Sequence, residues 1–266
     1  MNDIYFEREV EGSEERAYTR IAFNRAVLGN QWLERTWSGF FGTTNSLLLK
    51  PGNSEWVIVQ NPEFSLRVNG ETIEPMTLGE IDVSEECNEL GASLIIRKAR
   101  PGLDVIITCT ALHDVPALIR VVSVTNTSAE TIQLDSLTSE ILEWEEKSGE
   151  LVAHRFFKEV EGPYQCSPED PCIAMLHKNR GMLLGRLGEG ELHLNTPKPY
   201  QCSVLCACAQ TLEPLAKWTA PTTYTVPCEG DPLAAYLKYE PEIVAQLQLQ
   251  ERREELIQES LDAEDD

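Results

Sequence analysis

Positive charge is scarce in this sequence. Its 266 residues include 22 lysines and arginines against 44 aspartates and glutamates, which gives a formal net charge of −22 at pH 7. So acidic a surface repels the phosphates of nucleic acids and the headgroups of anionic lipids. We therefore expect neither a nucleic acid nor a membrane as a partner, whereas a neutral sugar is unaffected by this field.

Targeting signals and long apolar runs are also missing. The sequence begins MNDIYFEREVEGSEERAYTR, without the basic start and apolar stretch of a secretory signal. No apolar run approaches the ~20 residues that a membrane-spanning helix needs. These absences favour a cytoplasmic location, in which the eight cysteines remain reduced.

Motifs for metal, phosphate or nucleophile chemistry are lacking too. The four histidines form no H-x-x-x-H or H-E-x-x-H pair, and there is no G-x-S-x-G, P-loop or G-x-G-x-x-G pattern. Cys202, Cys206 and Cys208 lie close together, but a zinc site usually needs a second ligand pair, which is not cleanly placed. Free cysteine packs as a small apolar residue, so we predict core packing, no metal and no cofactor.

Short strands dominate what is present. Asn69-Gly70 separates the alternating run 64–68 from 71–73, which predicts a two-residue hairpin. Further strands are predicted at 47–49, 56–59, 93–97, 104–110, 119–125, 131–137, 141–144, 151–157, 172–177, 181–186, 191–194 and 203–209. With little helical periodicity and no fixed repeat between them, these strands predict an all-β fold, a large antiparallel sandwich.

The end of the sequence has a different composition. From Pro241 it reads PEIVAQLQLQERREELIQESLDAEDD, rich in good helix formers after a proline that suits a first helical turn. We predict an acidic segment at 1–17, the β domain at 18–240, and a short C-terminal helix with an acidic tail at 241–266. The helix is either a solvated surface element or a docking helix for a partner chain.

One stretch, VLGNQWLERTW from Val27 to Trp37, contains residue types that bind sugars. Aromatic faces stack on sugar rings, and arginine donates several hydrogen bonds to hydroxyl groups. In a strand Trp32 and Trp37 point to opposite faces, whereas Arg35 shares a face with Trp37 and Leu33. Only one of the two tryptophans can therefore face a given ligand. Carboxylate pairs give no comparable information, because 44 acidic residues allow almost any pairing.

Three segments in this order resemble the N-terminal, galactose mutarotase-like β-supersandwich domain of α-galactosidases and related raffinose-processing glycosidases. The first matches a "GN-x-x-(I/L)-ER-x-(F/W)" pattern and a threonine-rich strand, at Gly29, Asn30, Leu33, Glu34, Arg35, Trp37 and then Thr43, Thr44, Asn45, Ser46. The second runs from Arg100 through Asp114, Pro116 and Arg120 to Thr127, and the third from Trp218 to Tyr236. Together they cover about residues 18 to 240.

The resemblance implies a domain without its catalytic partner. In that family the catalytic aspartates lie on a (β/α)8 barrel that follows the sandwich and needs ~250 residues of its own. No catalytic residue is carried over, and the resemblance implies a carbohydrate-recognition or accessory domain. Trp37 and Arg35 are the first candidates for sugar binding, followed by Asn45 and His154. The partners expected are a mono- or oligosaccharide, a second copy of the chain, or a separate catalytic chain.

Two alternatives remain open. The chain is either a fragment or divergent member with its own activity on sugars, as a glycoside hydrolase or an aldose epimerase, or a structural or oligomerisation protein. Mutarotases use a carboxylate base with histidine acids. The histidine-containing strand motifs of that group do not occur around His113, His154, His177 or His193, although His154-Arg155-Phe156-Phe157 comes nearest.

Overall fold

The computed structural model describes residues 16–38, 41–50, 54–55, 61–144, 151–155, 158–160, 164–165, 171–177, 180–195 and 200–264. These residues contain one short 3-10 turn at Pro75–Thr77, one helix, α1 (Pro232–Glu264), and 23 strands. In chain order the strands are β1 (Tyr18–Ala22), β2 (Arg25–Gly29), β3 (Leu33–Ser38), β4 (Thr43–Leu49), β5 (Ser54–Glu55), β6 (Asn61–Pro62), β7 (Ser65–Val68), β8 (Glu71–Ile73), β9 (Glu80–Cys87), β10 (Gly91–Arg100), β11 (Leu103–Leu112), β12 (Leu118–Asn126), β13 (Ile132–Trp144), β14 (Leu151–Arg155), β15 (Lys158–Val160), β16 (Tyr164–Gln165), β17 (Cys172–His177), β18 (Arg180–Leu187), β19 (Glu191–Asn195), β20 (Tyr200–Cys206), β21 (Gln210–Leu212), β22 (Lys217–Thr219) and β23 (Thr222–Glu229).

The strands form three antiparallel sheets. A six-stranded sheet has the order β1-β2-β3-β4-β5, with β6 beside β4. A ten-stranded sheet has the order β15-β14-β17-β18-β23-β12-β11-β10-β9, with β22 beside β12. A seven-stranded sheet has the order β16-β19-β20-β13-β7-β8, with β21 beside β13. The predicted all-β, sandwich-like fold is therefore confirmed.

The main hydrophobic core lies between these sheets. Strand alternation directs every second residue inward, so β11 contributes Leu103, Val105 and Ile107 to this core. The six-stranded sheet contributes Leu33 and the seven-stranded sheet Leu134. A second core lies on the other face of the ten-stranded sheet, where α1 packs against β18 and β23.

Local sequence rules account for much of the β structure. Asn69 and Gly70 adopt positive φ angles of 50° and 79°, and Val68 pairs with Glu71, which confirms the predicted hairpin. The strands predicted at 131–137 and 141–144 are one strand, β13, with a register shift between Thr138 and Glu140. Strand β9 was not predicted, because its many acidic and mostly exposed side chains do not give the alternation of apolar and polar residues that indicates a strand. The strand predicted at 56–59 lies outside the described residues.

The predicted C-terminal helix is confirmed, but the predicted start at Pro241 is wrong. Helix α1 begins at Pro232, where the Asp231 carboxylate accepts a hydrogen bond of 3.0 Å from the backbone N–H of Leu233. Pro241 lies inside the helix and leaves the carbonyl four residues back, on exposed Leu237, without its helical donor. Burial of Ile243 holds this part of the helix on the sheet. Among the described residues, no helix has both the length and the apolar character needed to cross a bilayer.

Candidate functional site

The stretch from Val27 to Trp37 forms the end of β2, a turn and most of β3. Asn30, in the turn, is fully buried, and its side-chain oxygen accepts hydrogen bonds of 3.0 Å from the N–H groups of Trp32 and Leu33. Its side-chain nitrogen donates to the carbonyls of Leu112 and Val115, at 3.0 and 3.2 Å. Asn30 therefore joins the six-stranded sheet to the end of β11 and the loop that follows it.

Arg35 points from β3 into the interior, where all three nitrogens of its guanidinium group donate hydrogen bonds. Two of its nitrogens donate to the two carboxylate oxygens of Glu140, each at 3.0 Å. Its Nε donates to Thr44 Oγ1 at 2.8 Å, and Nη2 donates to Glu63 at 3.3 Å. This bidentate geometry, together with the hydrogen bond from Nε, stabilises the charge of a buried arginine.

Arg120 completes the same arrangement from β12. It donates to the Glu63 carboxylate and to the Glu63 backbone carbonyl, while its Nε donates to the Ser139 carbonyl at 2.8 Å. Its Nε lies 3.8 Å from Glu140. We call Arg35, Glu63, Arg120 and Glu140 the interior ionic cluster. It contains two positive and two negative charges, all at most 3% exposed, and it links all three sheets.

The interior ionic cluster keeps the Glu63 carboxylate ionised. Burial by itself raises the pKa of a carboxyl group, but Arg35, Arg120 and the hydrogen bond from Thr44 outweigh burial and lower the pKa of Glu63 to about 2. Burial raises the pKa of the neighbouring Cys109 thiol to about 11, against the opposing effect of the two arginines. A carboxylate so firmly ionised is a poor general acid or base near neutral pH.

Trp37 lies beside this cluster in the main core. Its ring is 0% exposed, and the Arg35 guanidinium carbon lies 5.2 Å from the ring centroid. Leu33, Arg35 and Trp37 are all buried, and the contact between Arg35 and the Trp37 ring agrees with the shared face predicted for these two residues. The indole nitrogen of Trp37 has no hydrogen-bond acceptor among the described residues. Trp32 is half-buried and packs against the same core.

The other two predicted sugar-binding residues lie apart from this pair. Asn45, in β4, is half-buried, and its side-chain oxygen accepts hydrogen bonds from Ser38 at 2.6 Å and Thr43 at 3.4 Å. It follows buried Thr44, so it points away from the interior ionic cluster. His154 lies in β14 and pairs with Ala174, but its side chain is outside the described set. Sugar binding by Trp37, Arg35, Asn45 and His154 stays a prediction.

The outer face of the six-stranded sheet carries a second polar group of residues. Tyr18 donates a hydrogen bond to Glu34, and the Lys50 ammonium donates to the Tyr18 hydroxyl at 2.8 Å and to the Asn30 carbonyl. The Arg20 guanidinium carbon lies 5.1 Å from the centre of the Tyr18 ring, and Lys50 Nζ lies 4.5 Å from it. We call Tyr18, Arg20, Glu34 and Lys50 the outer-face cluster.

Gly29 makes room for this cluster. A Cβ atom on Gly29 would lie 2.9 Å from the Tyr18 hydroxyl and 2.7 Å from the Leu33 carbonyl, closer than such atoms approach in proteins. Partial burial raises the pKa of Tyr18, and its hydrogen bond to Glu34 adds to this effect. Burial also lowers the pKa of Lys50; Glu34 opposes this and Arg20 reinforces it.

The cysteines follow the core-packing prediction. Cys202 and Cys206 are buried in β20, and half-buried Cys208 donates a hydrogen bond of 3.1 Å to the Cys206 carbonyl. Burial raises the pKa of Cys206 to about 11 and that of Cys208 to about 12, so both remain thiols. Within the described part of the chain, no three His, Cys, Asp or Glu side chains are grouped to hold a metal ion.

Sequence reasoning missed the acidic half of the interior ionic cluster. Glu63 follows Pro62 in a short linker, and Glu140 lies within the apolar alternation of β13, next to Leu137 and Ile141. A charged residue inside such a run was the available signal, because burial of a charge requires a partner.

No family model matches the sequence, and no curated protein matches it. Solved structures do match its fold. The GH36 α-galactosidase AgaB from Geobacillus stearothermophilus superposes with a TM-score of 0.54 at 12% identity, over 81% of this chain and 41% of AgaB. The galactosidase domain of the α-galactosidase–sucrose kinase AgaSK gives a TM-score of 0.53 at 12% identity, over 82% of this chain and 41% of that one.

The fold resembles part of a GH36 α-galactosidase. This confirms the resemblance expected from the sequence, and the chain spans about two fifths of the length of these galactosidases. A TPR-domain containing protein from Parabacteroides distasonis matches equally well, with a TM-score of 0.54 at 10% identity, over 77% of this chain and 47% of that one. At such low identity the likeness establishes the fold and not the activity.

Proposed function

We propose that this chain is a non-catalytic accessory domain of the α-galactosidase type, which acts beside a catalytic unit and contributes to carbohydrate recognition. The observation that carries the proposal is the fold match to AgaB, which includes 81% of this chain but leaves most of AgaB unmatched. The reacting groups of such an enzyme would then belong to the unmatched part or to a separate chain.

The contacts of the motif residues support a scaffolding role within that function. Arg35 and Arg120 use their guanidinium groups on buried glutamates, and Asn30 uses its amide on backbone groups. Side chains committed in this way hold sheets together, and both arginines are buried, at 3% exposure, away from any substrate in solution. The motif therefore supports the fold that would present a sugar-binding surface.

Asn45 is the most accessible of the predicted sugar-binding residues with a described side chain. Arg35 and Trp37 are buried, whereas Asn45 is half-buried beside the hydroxyl groups of Ser38 and Thr43. An amide flanked by two hydroxyls offers donors and acceptors of the kind that orient sugar hydroxyl groups. We infer that recognition of a neutral galactoside depends more on Asn45 than on Trp37.

Two assays on the purified chain test the proposal. With a chromogenic α-galactoside we expect no turnover, and turnover by this chain alone would overturn the non-catalytic assignment. In calorimetric titrations with raffinose we expect binding that Asn45→Ala weakens by several fold. Gln248→Ala, at an exposed position on α1, is the matched control and should bind as the unaltered chain does. Absence of binding to any galactoside would overturn carbohydrate recognition.

A structural or oligomerisation role is the second candidate. The observation in its favour is the equally good fold match to the TPR-domain containing protein, whose name indicates no glycosidase. A stable oligomer in native mass measurements, together with no binding in the galactoside titrations, would favour this role over the first.

A further inference from the structure

Two positively charged side chains contact the Tyr18 ring. Arg20 and Lys50 both lie against this ring, at 5.1 and 4.5 Å from its centre. Among the described residues, no carboxylate oxygen lies within 4.0 Å of a side-chain nitrogen of either residue. The acid of the outer-face cluster, Glu34, accepts the hydrogen bond of the Tyr18 hydroxyl.

This pairing of like charges is unexpected in so acidic a chain. Acidic residues outnumber basic ones by 44 to 22, and Arg97, Arg100 and Arg180 each have a carboxylate partner. Two cations near one another repel, and contact with an aromatic face offsets only part of that cost. The outer-face cluster is therefore a local positive site on a negative molecule.

The position of the Lys50 ammonium is fixed by the fold. It donates to the Tyr18 hydroxyl and the Asn30 carbonyl, both neutral acceptors. The Tyr18 side chain in turn packs against Gly29. A lysine ammonium has three N–H donors, so one donor of Lys50 has no acceptor among the described residues. A held ammonium with one free donor is preorganised for an incoming acceptor.

We propose that Arg20, Lys50 and Tyr18 form a binding site for the carboxylate or phosphate group of a small ligand. The oxyanion accepts the third N–H of Lys50 and a hydrogen bond from the exposed Arg20 guanidinium, while the Tyr18 ring fixes the spacing of the two cations. Glu34 accepts the hydrogen bond of the Tyr18 hydroxyl, so this hydroxyl is not a donor to the ligand. This site does not depend on the accessory-domain proposal, since its ligand is an anion and not a neutral galactoside.

The electrostatics of the cluster agree with this assignment. Burial and the neighbouring Arg20 lower the pKa of Lys50, against the opposing effect of Glu34. A bound oxyanion supplies the missing negative charge and should raise that pKa again. The titration of Lys50, followed by NMR with and without inorganic phosphate, therefore reports occupancy independently of affinity.

The test compares galacturonate with galactose, which differ in the carboxylate, and adds inorganic phosphate as a second oxyanion. Isothermal titration of the full chain should show galacturonate or phosphate binding that weakens with added salt. Lys50→Gln and Arg20→Gln should each weaken it roughly 10- to 100-fold, the usual value of one charge-assisted hydrogen bond. Lys238→Gln, an exposed lysine on α1, is the matched control and should leave binding unchanged.

The outcomes distinguish a carboxylate ligand from a phosphate ligand, and this site from the sugar-binding site of the accessory-domain proposal. Binding of galacturonate alone assigns a carboxylate ligand, and binding of phosphate alone assigns a phosphate ligand; both support the site. Galactose binding that Lys50→Gln leaves intact belongs to the accessory-domain site and has no bearing on this one. The proposal is overturned if neither oxyanion binds, or if Lys50→Gln and Lys238→Gln weaken binding equally.

Discussion

Strand β3 presents two charged environments on its two faces. On the inner face, the charge of Arg35 is matched by Glu140 and Glu63 at 3.0 and 3.3 Å, and all three side chains are buried. On the outer face, next to Glu34, Lys50 and Arg20 share one aromatic ring without a carboxylate at salt-bridge distance. Two adjacent residues of β3 thus belong to different networks. Arg35 belongs to the interior ionic cluster, a closed network in which every charge has a partner of opposite sign. Glu34 belongs to the outer-face cluster, an open network in which Arg20 and Lys50 have no carboxylate of the described residues at salt-bridge distance.

The difference shows how to distinguish charged residues that support the fold from charged residues that can bind a ligand. A buried charge is tolerated only when partners satisfy it, so a complete network indicates support of the fold. A half-buried cation whose partners are neutral keeps the capacity to bind an anion. The residue types that first suggested a ligand site, an arginine beside a tryptophan, lie in the closed network. Substitutions on the inner face should therefore mainly lower stability, whereas substitutions on the outer face should mainly weaken oxyanion binding.

The largest effect is expected from Arg120→Met. This change leaves the Glu63 carboxylate buried beside one arginine and removes the hydrogen bond to the Ser139 carbonyl. Breaking a buried ion pair in this way costs about 3–5 kcal/mol in the free energy of unfolding, measured by urea denaturation. Arg180→Gln, which removes a solvent-exposed pair with Glu229, should cost about 0–1 kcal/mol. Equal losses would contradict the assignment of the closed network.

The next effect is a dependence of stability on pH. The pKa of Glu63 is about 2 in the folded chain against 4.5 for an ordinary glutamate, so its ionised form stabilises the fold fully above pH 4.5. That contribution is lost as the pH falls from 4.5 through 2. Urea midpoints across this range should fall less steeply for Glu63→Gln than for the unaltered chain. Parallel profiles would show that Glu63 does not carry this dependence.

A smaller loss is expected from Gly29→Ala, at the junction of the two faces. The added Cβ would lie 2.7 Å from the Leu33 carbonyl and 2.9 Å from the Tyr18 hydroxyl, so the backbone or Tyr18 must shift. We expect a loss of about 1–3 kcal/mol in unfolding free energy and displacement of Tyr18 from Lys50. Gly79→Ala has open space around it and should be neutral or slightly stabilising in the same measurement.

The smallest effect on stability is expected from Lys50→Gln. Lys50 donates to two neutral acceptors, and its lowered pKa shows that burial already disfavours its charge. Its replacement should change the unfolding free energy by less than about 1 kcal/mol while it weakens oxyanion binding. If thermal denaturation showed a loss as large as that of Arg120→Met, Lys50 would be a structural residue and the two faces would be alike.

Sequence reasoning succeeded where the determining chemistry is local. Strand β17 spans Cys172–His177, as predicted from its apolar run, and the hairpin at Asn69-Gly70 follows from its turn residues. The start of α1 also follows from local chemistry, because Asp231 before Pro232 is a typical helix cap, whereas the prediction from Pro241 places the start nine residues too late.

The candidate sites depend on contacts between distant parts of the chain. Arg35 meets Glu140 across 105 residues, and Arg120 meets Glu63 across 57. Strand alternation shows that Arg35 faces the same side as Trp37, but it does not show what that side packs against. The outer-face cluster likewise requires the register of four strands to bring Lys50 to Tyr18, 32 residues away. Such pairings are set by topology, which no single stretch of sequence reports.

A double-mutant cycle on Arg35 and Glu140 tests most directly whether the inner face of β3 supports the fold. Arg35→Met alone leaves the Glu140 carboxylate without its bidentate partner and should lower the unfolding free energy by about 3–5 kcal/mol. The pair Arg35→Met with Glu140→Met leaves Arg120 and Glu63 paired, so most of that loss should be recovered. An Arg35→Met chain as stable as the unaltered one, with only sugar binding lost, would contradict this account.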